Sequence, residues 1–235
     1  MHGKKINRCR LCSSKKIRKV INFGKIPLGN NLLNFKKNSL IAKKYPLVLN
    51  NCKDCNHFQL SYSVNPKILY AKNYTYLSGT GPSMVSHLKN YSNYIIKKTK
   101  LLKNNIIVDI GSNDGTCLKN FKKKKMRVLG IDPAKKPCQI AKLRGIETIN
   151  SFFNKKVAEK ITKKYGKVDF VTSHNTLAHV DDINKIFENI FKILKKDGYF
   201  CFEIGYFNKV IKNNYFDTIY HEHLDYHHAN PLIKF

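Results

Sequence analysis

Ile106-Ile107-Val108-Asp109-Ile110-Gly111-Ser112-Asn113-Asp114-Gly115 opens on β-branched apolar residues and closes on two glycines. A run that apolar and that short reads as a strand buried on both faces. Glycines beyond it let the backbone pass close to a ligand at the strand's C-terminal edge. The stretch is neither G-x-G-x-x-G nor a P-loop, so a pyrophosphate is not its obvious ligand. Outward from it, strands read at 128–131, weakly at 147–149, at 168–172 and at 199–203. Helical periodicity fills 117–123, 134–143, 155–165 and 182–194, and Lys196-Asp197-Gly198 reads as a turn. Strands separated by crossover helices predict a parallel sheet in a Rossmann-like α/β fold. The second strand ends in Ile131-Asp132-Pro133. An acid about 20 residues past the glycine turn accepts ribose hydroxyls; a helix N-cap is the structural alternative for Asp132.

Before this block, Ser78-Gly79-Thr80-Gly81-Pro82-Ser83 reads as a loop, and residues 84–102 repeat apolar side chains near helical period at Val85, Leu88, Tyr91, Ile95 and Ile96. Further back stand two Cys-x-x-Cys pairs, Cys9/Cys12 and Cys52/Cys55. Each pair can form a knuckle, and two knuckles supply the four thiolates of a closed structural zinc site. His57 is either a substitute ligand or a surface or half-buried histidine. Cys117, Cys138 and Cys201 are scattered through helices and strands. The expected organisation is a zinc module at 1–72, a helical linker or lid at 73–104, and the α/β domain at 105–235.

The 235 residues carry 44 Lys+Arg against 15 Asp+Glu, a formal charge of +29, with 42% hydrophobic residues. That composition excludes a disordered tail. No apolar run is long enough for a membrane span, and no signal peptide follows Met1-His2-Gly3-Lys4-Lys5, which points to a cytoplasmic protein. The charge raises nucleic-acid binding as a reading. Against it, the lysines sit in nearly every segment, and the arginines, preferred for bidentate contacts, are only Arg8, Arg10, Arg18, Arg127 and Arg144. Attraction to anionic small molecules such as nucleotide-linked substrates is the milder consequence.

A strand, an acidic glycine loop and an acid ending the second strand resemble class I methyltransferases that use S-adenosylmethionine (SAM). Tyr74-x-Tyr76-x-Ser78-Gly79-Thr80, Asp109-Ile-Gly-Ser-Asn-Asp-Gly-Thr116, Asn175-x-x-x-His179-Val180 and Tyr220-His-Glu-His-Leu224 follow in that order. Preceded by the cysteine pairs, they resemble the zinc-containing deoxysugar C-methyltransferases, which methylate C3 of a nucleotide-linked 4-keto-6-deoxysugar. The resemblance implies that Asp109, Gly111, Asn113 and Asp114 form the SAM loop, that Asp132 takes the ribose, and that Phe153 and Asn154 lie on the adenine side. It places Asn175 and His179 in the loop after the fourth strand. Tyr76, His179, Tyr220, Glu222 and His223 match the family's active-site residues.

The chemistry suits those types. A hydrogen beside a ketone leaves when a base is poised near neutral pH and the enolate oxygen is stabilised. Histidine titrates there. His223 is the expected base, with Glu222 beside it to fix its tautomer and raise its basicity. Tyr220, Tyr76 and His179 are candidates for stabilising or reprotonating the enolate. Read without the resemblance, Tyr-His-Glu-His is equally a metal site of His-x-His type or an exposed histidine-rich turn, since His227 and His228 follow. Likewise His179 alone reads as a helix-start histidine and Tyr76 as a core aromatic. An O- or N-methyltransferase, a zinc-containing nucleic-acid-binding module and a non-catalytic remnant are the alternatives.

Two departures stand out. Where the family usually continues Ser-Tyr-Phe-Ser, this chain has Asp225-Tyr226-His227-His228, which is expected to change the wall beside the base. The chain also stops at Phe235 with fewer strands than a complete class I sheet. The expectation is a C-terminally truncated member that binds zinc, and SAM weakly, without completing catalysis.

Overall fold

The computed structural model describes residues 2–30, 41–70, 74 and 76–235. The chain divides into two compact units, one of residues 1–73, 177–183 and 204–235, the other of residues 74–176 and 184–203. This differs from the sequence-contiguous division at 72/73 and 104/105. The helix placed in a linker belongs to the α/β unit, and the segments that carry His179 and residues 220–228 belong to the cysteine-bearing unit.

In chain order the first unit opens with β1 (Gly3–Lys5), β2 (Ile17–Pro27), β3 (Lys44–Cys52), β4 (Phe58–Leu60), β5 (Tyr62–Val64) and a short helix α1 (Pro66–Tyr70). The second contains α2 (Pro82–Thr99), β6 (Ile106–Ile110), α3 (Thr116–Lys123), β7 (Arg127–Asp132), α4 (Lys135–Leu143), β8 (Thr148–Asn150), α5 (Lys155–Tyr165), β9 (Val168–His174), α6 (Ile183–Ile193) and β10 (Leu194–Glu203). The chain ends with α7 (Phe207–Lys212), β11 (Asp225–Tyr226) and α8 (Ala229–Lys234), in the first unit.

The α/β unit is the expected parallel sheet, in the order β10-β9-β6-β7-β8. All five residues of β6 are buried, as a strand flanked on both edges and covered on both faces requires. Connections from β6 run first to β7 and later return to its other edge at β9. That reversal opens a crevice beyond the strands' C-terminal ends, where ligands of such sheets bind. Helix α2 starts with Pro82 in the first turn and stops at Lys100 in the left-handed region (φ 52°). Its Leu88 and Ile95 pack with Ile107, Leu118, Phe121 and Phe170 into one core. The expected turn at 196–198 is instead a register irregularity inside β10, between Leu194 and Tyr199.

The other unit is built on an antiparallel sheet, β11-β4-β3-β2, with a separate β1-β5 pair. Its core joins Leu47, Leu49 and Leu60 from the N-terminal part to Phe207, Ile219, Leu224 and Tyr226 from the C-terminal part. Strand β11 pairs with β4 through Asp225–Gln59 and Tyr226–Phe58, which draws the Tyr-His-Glu-His segment into this unit.

Candidate active site

In the first unit the ligand atoms of Cys9, Cys12, Cys52 and Cys55 all lie within 4.8 Å of one another. Cys9 Sγ is 3.5 Å from Cys55 Sγ, and Cys12 Sγ 3.6 Å from Cys52 Sγ. Sulfurs around a tetrahedral zinc stand about 3.8 Å apart for a zinc–sulfur bond of about 2.3 Å, so the set fits that ion. The two knuckles repeat one geometry. The residue after each second cysteine turns into the left-handed region (Ser13, φ 61°; Asn56, φ 63°), and its N–H donates to the first cysteine's carbonyl at 2.9 Å. His57 is not a ligand. It is fully buried, and its Nε2 lies 2.9 Å from Asp225 Oδ1.

In the α/β unit the loop after β6 is held by its own side chains. Gly111 has φ +77°, and a Cβ there would meet Thr176 Oγ1 at 2.0 Å, so only glycine fits. Asn113 Oδ1 accepts the N–H of Ser78, and its amide donates to the Tyr76 carbonyl. Asp114 accepts the N–H of Gly79 and pairs with Arg144 at 2.9 Å. The 76–79 loop is thereby fastened to the glycine loop. Asp132 accepts the N–H of Asn113 at 2.9 Å and that of Ala134 at 2.8 Å. It therefore organises the start of α4 and still keeps a second lone pair on each oxygen. Burial raises its pKa.

Beneath the loop, Asp109, Cys117 and His174 bring one polar atom each within 4.8 Å. Asp109 Oδ1, Ser112 Oγ and both His174 ring nitrogens are buried without a hydrogen-bond partner. Burial, then the charge of Asp132, pushes Asp109 up to about 8. Burial pushes His174 down to about 4. The crevice floor is polar yet uncharged near neutral pH, and unsatisfied groups of this kind fit a polar, cationic cofactor. Phe153 is buried; the Asn154 side chain caps α5 by accepting the Val157 N–H, which is a structural use of the side chain expected at the adenine. Asn175 adopts φ 50° and donates its N–H to the Glu203 carbonyl.

The remaining candidates gather in the first unit. His223 Nδ1 donates to the Thr218 carbonyl at 2.9 Å. A carbonyl can only accept, so this bond fixes the proton on Nδ1 and leaves the lone pair on Nε2. The Tyr220 hydroxyl lies 3.2 Å from that Nε2. Burial lowers the pKa of His223 and, with the nearby Glu222 carboxylate, pushes Tyr220 up to about 12. The pair is thus a neutral imidazole facing a protonated phenol. His179 stands beside it, ring centroids 4.9 Å apart. His179 Nδ1 and the Tyr70 hydroxyl both donate to the backbone carbonyl of Glu222, at 2.8 and 3.1 Å.

Glu222 does not set the tautomer of His223 as expected. Its carboxylate accepts from Asn30 at 2.8 Å instead, because neighbouring residues in this turn aim their side chains apart. Nor does the segment form a metal site. His221 is buried with its Nε2 on the Tyr45 carbonyl, and among the described residues no metal-spaced group of three includes His221, Glu222 or His223. The turn is not exposed either, since His227 and His228 are 1% and 5% accessible. Tyr76 belongs to the other unit and is 50% exposed, so it is not a core aromatic. Asn30, Tyr70 and the Thr218 carbonyl are members of the cluster that the sequence did not point to.

Residues 87–234 match the family model "Methyltransferase domain", and residues 9–70 match "Putative zinc binding domain". The chain belongs to the methyltransferase domain family, with the class I fold, and its cofactors are SAM and, at the four cysteines, zinc. The C-methyltransferase NovU of Streptomyces niveus is 31% identical over 227 residues, covering 97% of this chain and 54% of that protein. A ubiquinone biosynthesis O-methyltransferase of Vibrio parahaemolyticus is 25% identical over 129 residues, 54% of each. The YcgJ protein of Bacillus subtilis shares the fold, with a TM-score of 0.51 at 18% identity over 63% of this chain and 65% of that one. The chain spans about half the length of these curated relatives. Among the described residues no helix is long and apolar enough to cross a membrane.

Proposed function

We propose, in place of the expectation that catalysis is not completed, that this chain carries out SAM-dependent C-methylation of a nucleotide-linked 4-keto-6-deoxysugar, with His223 as the base. The observation that carries this reading is the His223 device: a half-buried neutral imidazole with its proton locked on Nδ1 by Thr218 and its Nε2 lone pair facing Tyr220. A carbon acid needs such a base, whereas a phenol or amine acceptor reaches a nucleophilic form far more easily. The Nε2 lone pair takes the hydrogen from the carbon beside the ketone, and the resulting imidazolium is stabilised through Nδ1–H by the Thr218 carbonyl. Tyr220 is the donor for the enolate oxygen; His179, with its proton on Nδ1 held by the Glu222 carbonyl, offers a lone pair on Nε2 and serves as an acceptor beside it. Bound SAM supplies an electrophilic methyl group to the carbanion carbon. The lysine excess favours encounter with an anionic sugar nucleotide.

The test is solvent exchange. Incubated in D2O with a nucleotide-linked 4-keto-6-deoxysugar, the protein exchanges the hydrogen beside the ketone at a rate that depends on His223. Exchange that survives His223→Ala unchanged would sink this reading and favour an oxygen or nitrogen acceptor.

Asp109, Gly111, Asn113, Asp114 and Asp132 are the residues that would hold SAM. Asp132→Ala removes the ribose acceptor and two loop hydrogen bonds, so calorimetry should register a SAM affinity at least about tenfold weaker, as losing a charged acceptor of about 1.5–3 kcal/mol implies. The pH dependence has a definite sign. Asp109 is held neutral up to about 8, and a cationic cofactor favours its carboxylate, so binding releases a proton and affinity rises between pH 6 and 8. Affinity that is flat across that range, or falls, would remove Asp109 from the contact.

A further inference from the structure

We propose that Arg10 is a positioning residue that ties the first zinc knuckle to both candidate catalytic histidines. Arg10 lies between Cys9 and Cys12, so zinc fixes its backbone. Its N–H donates to Gln59 Oε1 at 2.8 Å, and Gln59 returns a bond to the Arg8 carbonyl at 2.9 Å, which locks the knuckle onto β4. Its guanidinium then reaches three acceptors. Nε pairs with Asp225 Oδ1 at 2.8 Å, Nη1 donates to the Asp181 carbonyl at 3.1 Å, and Nη2 donates to the Val180 carbonyl. Asp225 stands two residues after His223, and Val180 directly follows His179. The second knuckle reaches the same anchor, because His57, two residues past Cys55, lies 2.9 Å from Asp225 Oδ1.

The two tethered segments are also bound to each other. The Leu224 N–H donates to the Ala178 carbonyl at 2.7 Å, and His179 Nδ1 donates to the Glu222 carbonyl. One planar cation therefore sets the spacing of the turn carrying His179 and the turn carrying His223. The Arg10 and Asp225 side chains are 7% and 0% accessible, so little water competes for these bonds. Only a guanidinium meets three acceptors in a fixed fork; a lysine ammonium could keep the ion pair and would forfeit the fork. Asp225 is also where this chain departs from the Ser-Tyr-Phe-Ser of the family it resembles.

The functional part of this proposal rests on the base reading above, and its test is chosen to separate the two. Histidine side chains labelled with 15N report tautomer and ring-proton exchange without any catalysis. In the zinc-loaded protein, the Nδ1–H tautomers of His179 and His223 should be locked. Arg10→Met should leave one zinc per chain and SAM affinity within about twofold, yet both signals should move toward tautomer averaging. Arg10→Lys should keep the His223 signal through Asp225 and lose that of His179, which follows the carbonyls of Val180 and Asp181. If Arg10→Met does not fold, the lysine variant alone decides. Unchanged His179 and His223 signals in the folded variants would overturn the proposal, whatever the rates are. If the signals shift while His223→Ala leaves deuterium exchange intact, the positioning role stands and the base reading falls.

Discussion

His223→Ala slows methyl transfer by about 10²–10⁴-fold, the usual worth of a positioned general base, and leaves SAM binding as it was. The glycine loop belongs to the other compact unit, so calorimetry should return an unaltered cofactor affinity. The loss should appear in kcat and kcat/KM together, because a base acts in the transition state. The pH profile carries a second signature. Burial lowers the pKa of His223, so the imidazole stays neutral, and competent, to lower pH than a free histidine. The acid limb of the wild-type profile should therefore fall below the ordinary histidine range near 6.5. An acid limb above that range would place the essential base elsewhere. So would a His223→Ala enzyme within a few-fold of wild type.

Zinc removal is the second large effect. The first unit has a small apolar core of Leu47, Leu49, Leu60, Phe207, Ile219, Leu224 and Tyr226, and its two knuckles are joined largely by polar contacts: the four sulfurs, the Ser14–Asp54 hydrogen bond and the Arg10–Asp225–His57 network. A structural zinc is worth about 10–16 kcal/mol in small zinc domains, comparable with or larger than the whole stability of a typical domain. Cys52→Ser, or chelation, should therefore lower the melting temperature by on the order of 10–20 °C or more. Calorimetric scans of the zinc-loaded and chelated chain read this directly. An unchanged melting curve at less than one zinc per chain would mean that the cysteine cluster does not hold the unit together.

The α/β unit was legible because its signals are local. Residues 106–115 carry a strand, a glycine turn and a helix start in ten consecutive positions, and the helical and strand periods around them do the rest. The cysteine knuckles were legible for the same reason, since spacing alone brings the two sulfurs of each pair together. The histidine cluster was legible in part: sequence pointed to His179, Tyr220, Glu222 and His223, but not to Asn30, Tyr70 or the Thr218 carbonyl, nor to the wiring among them. Sequence adjacency suggests that Glu222 serves His223, but the carboxylate turns to Asn30, and a backbone carbonyl fixes the tautomer. A carbonyl partner such as Thr218 leaves no mark on residue type. Tyr70 and Arg10 come from far along the chain and join through the pairing of β11 with β4, which no local pattern encodes. The capping role of Asn154 was readable, because an asparagine before a helical run is an ordinary N-cap.

The most direct measurement is transfer of a 13C-methyl group from SAM to a nucleotide-linked 4-keto-6-deoxysugar, with the product's methyl located by NMR. A new carbon–carbon bond is expected at the position beside the ketone, formed by the wild-type protein and lost in His223→Ala. A methyl group found on oxygen or nitrogen, no transfer at all, or equal carbon methylation by the His223→Ala protein would contradict this expectation.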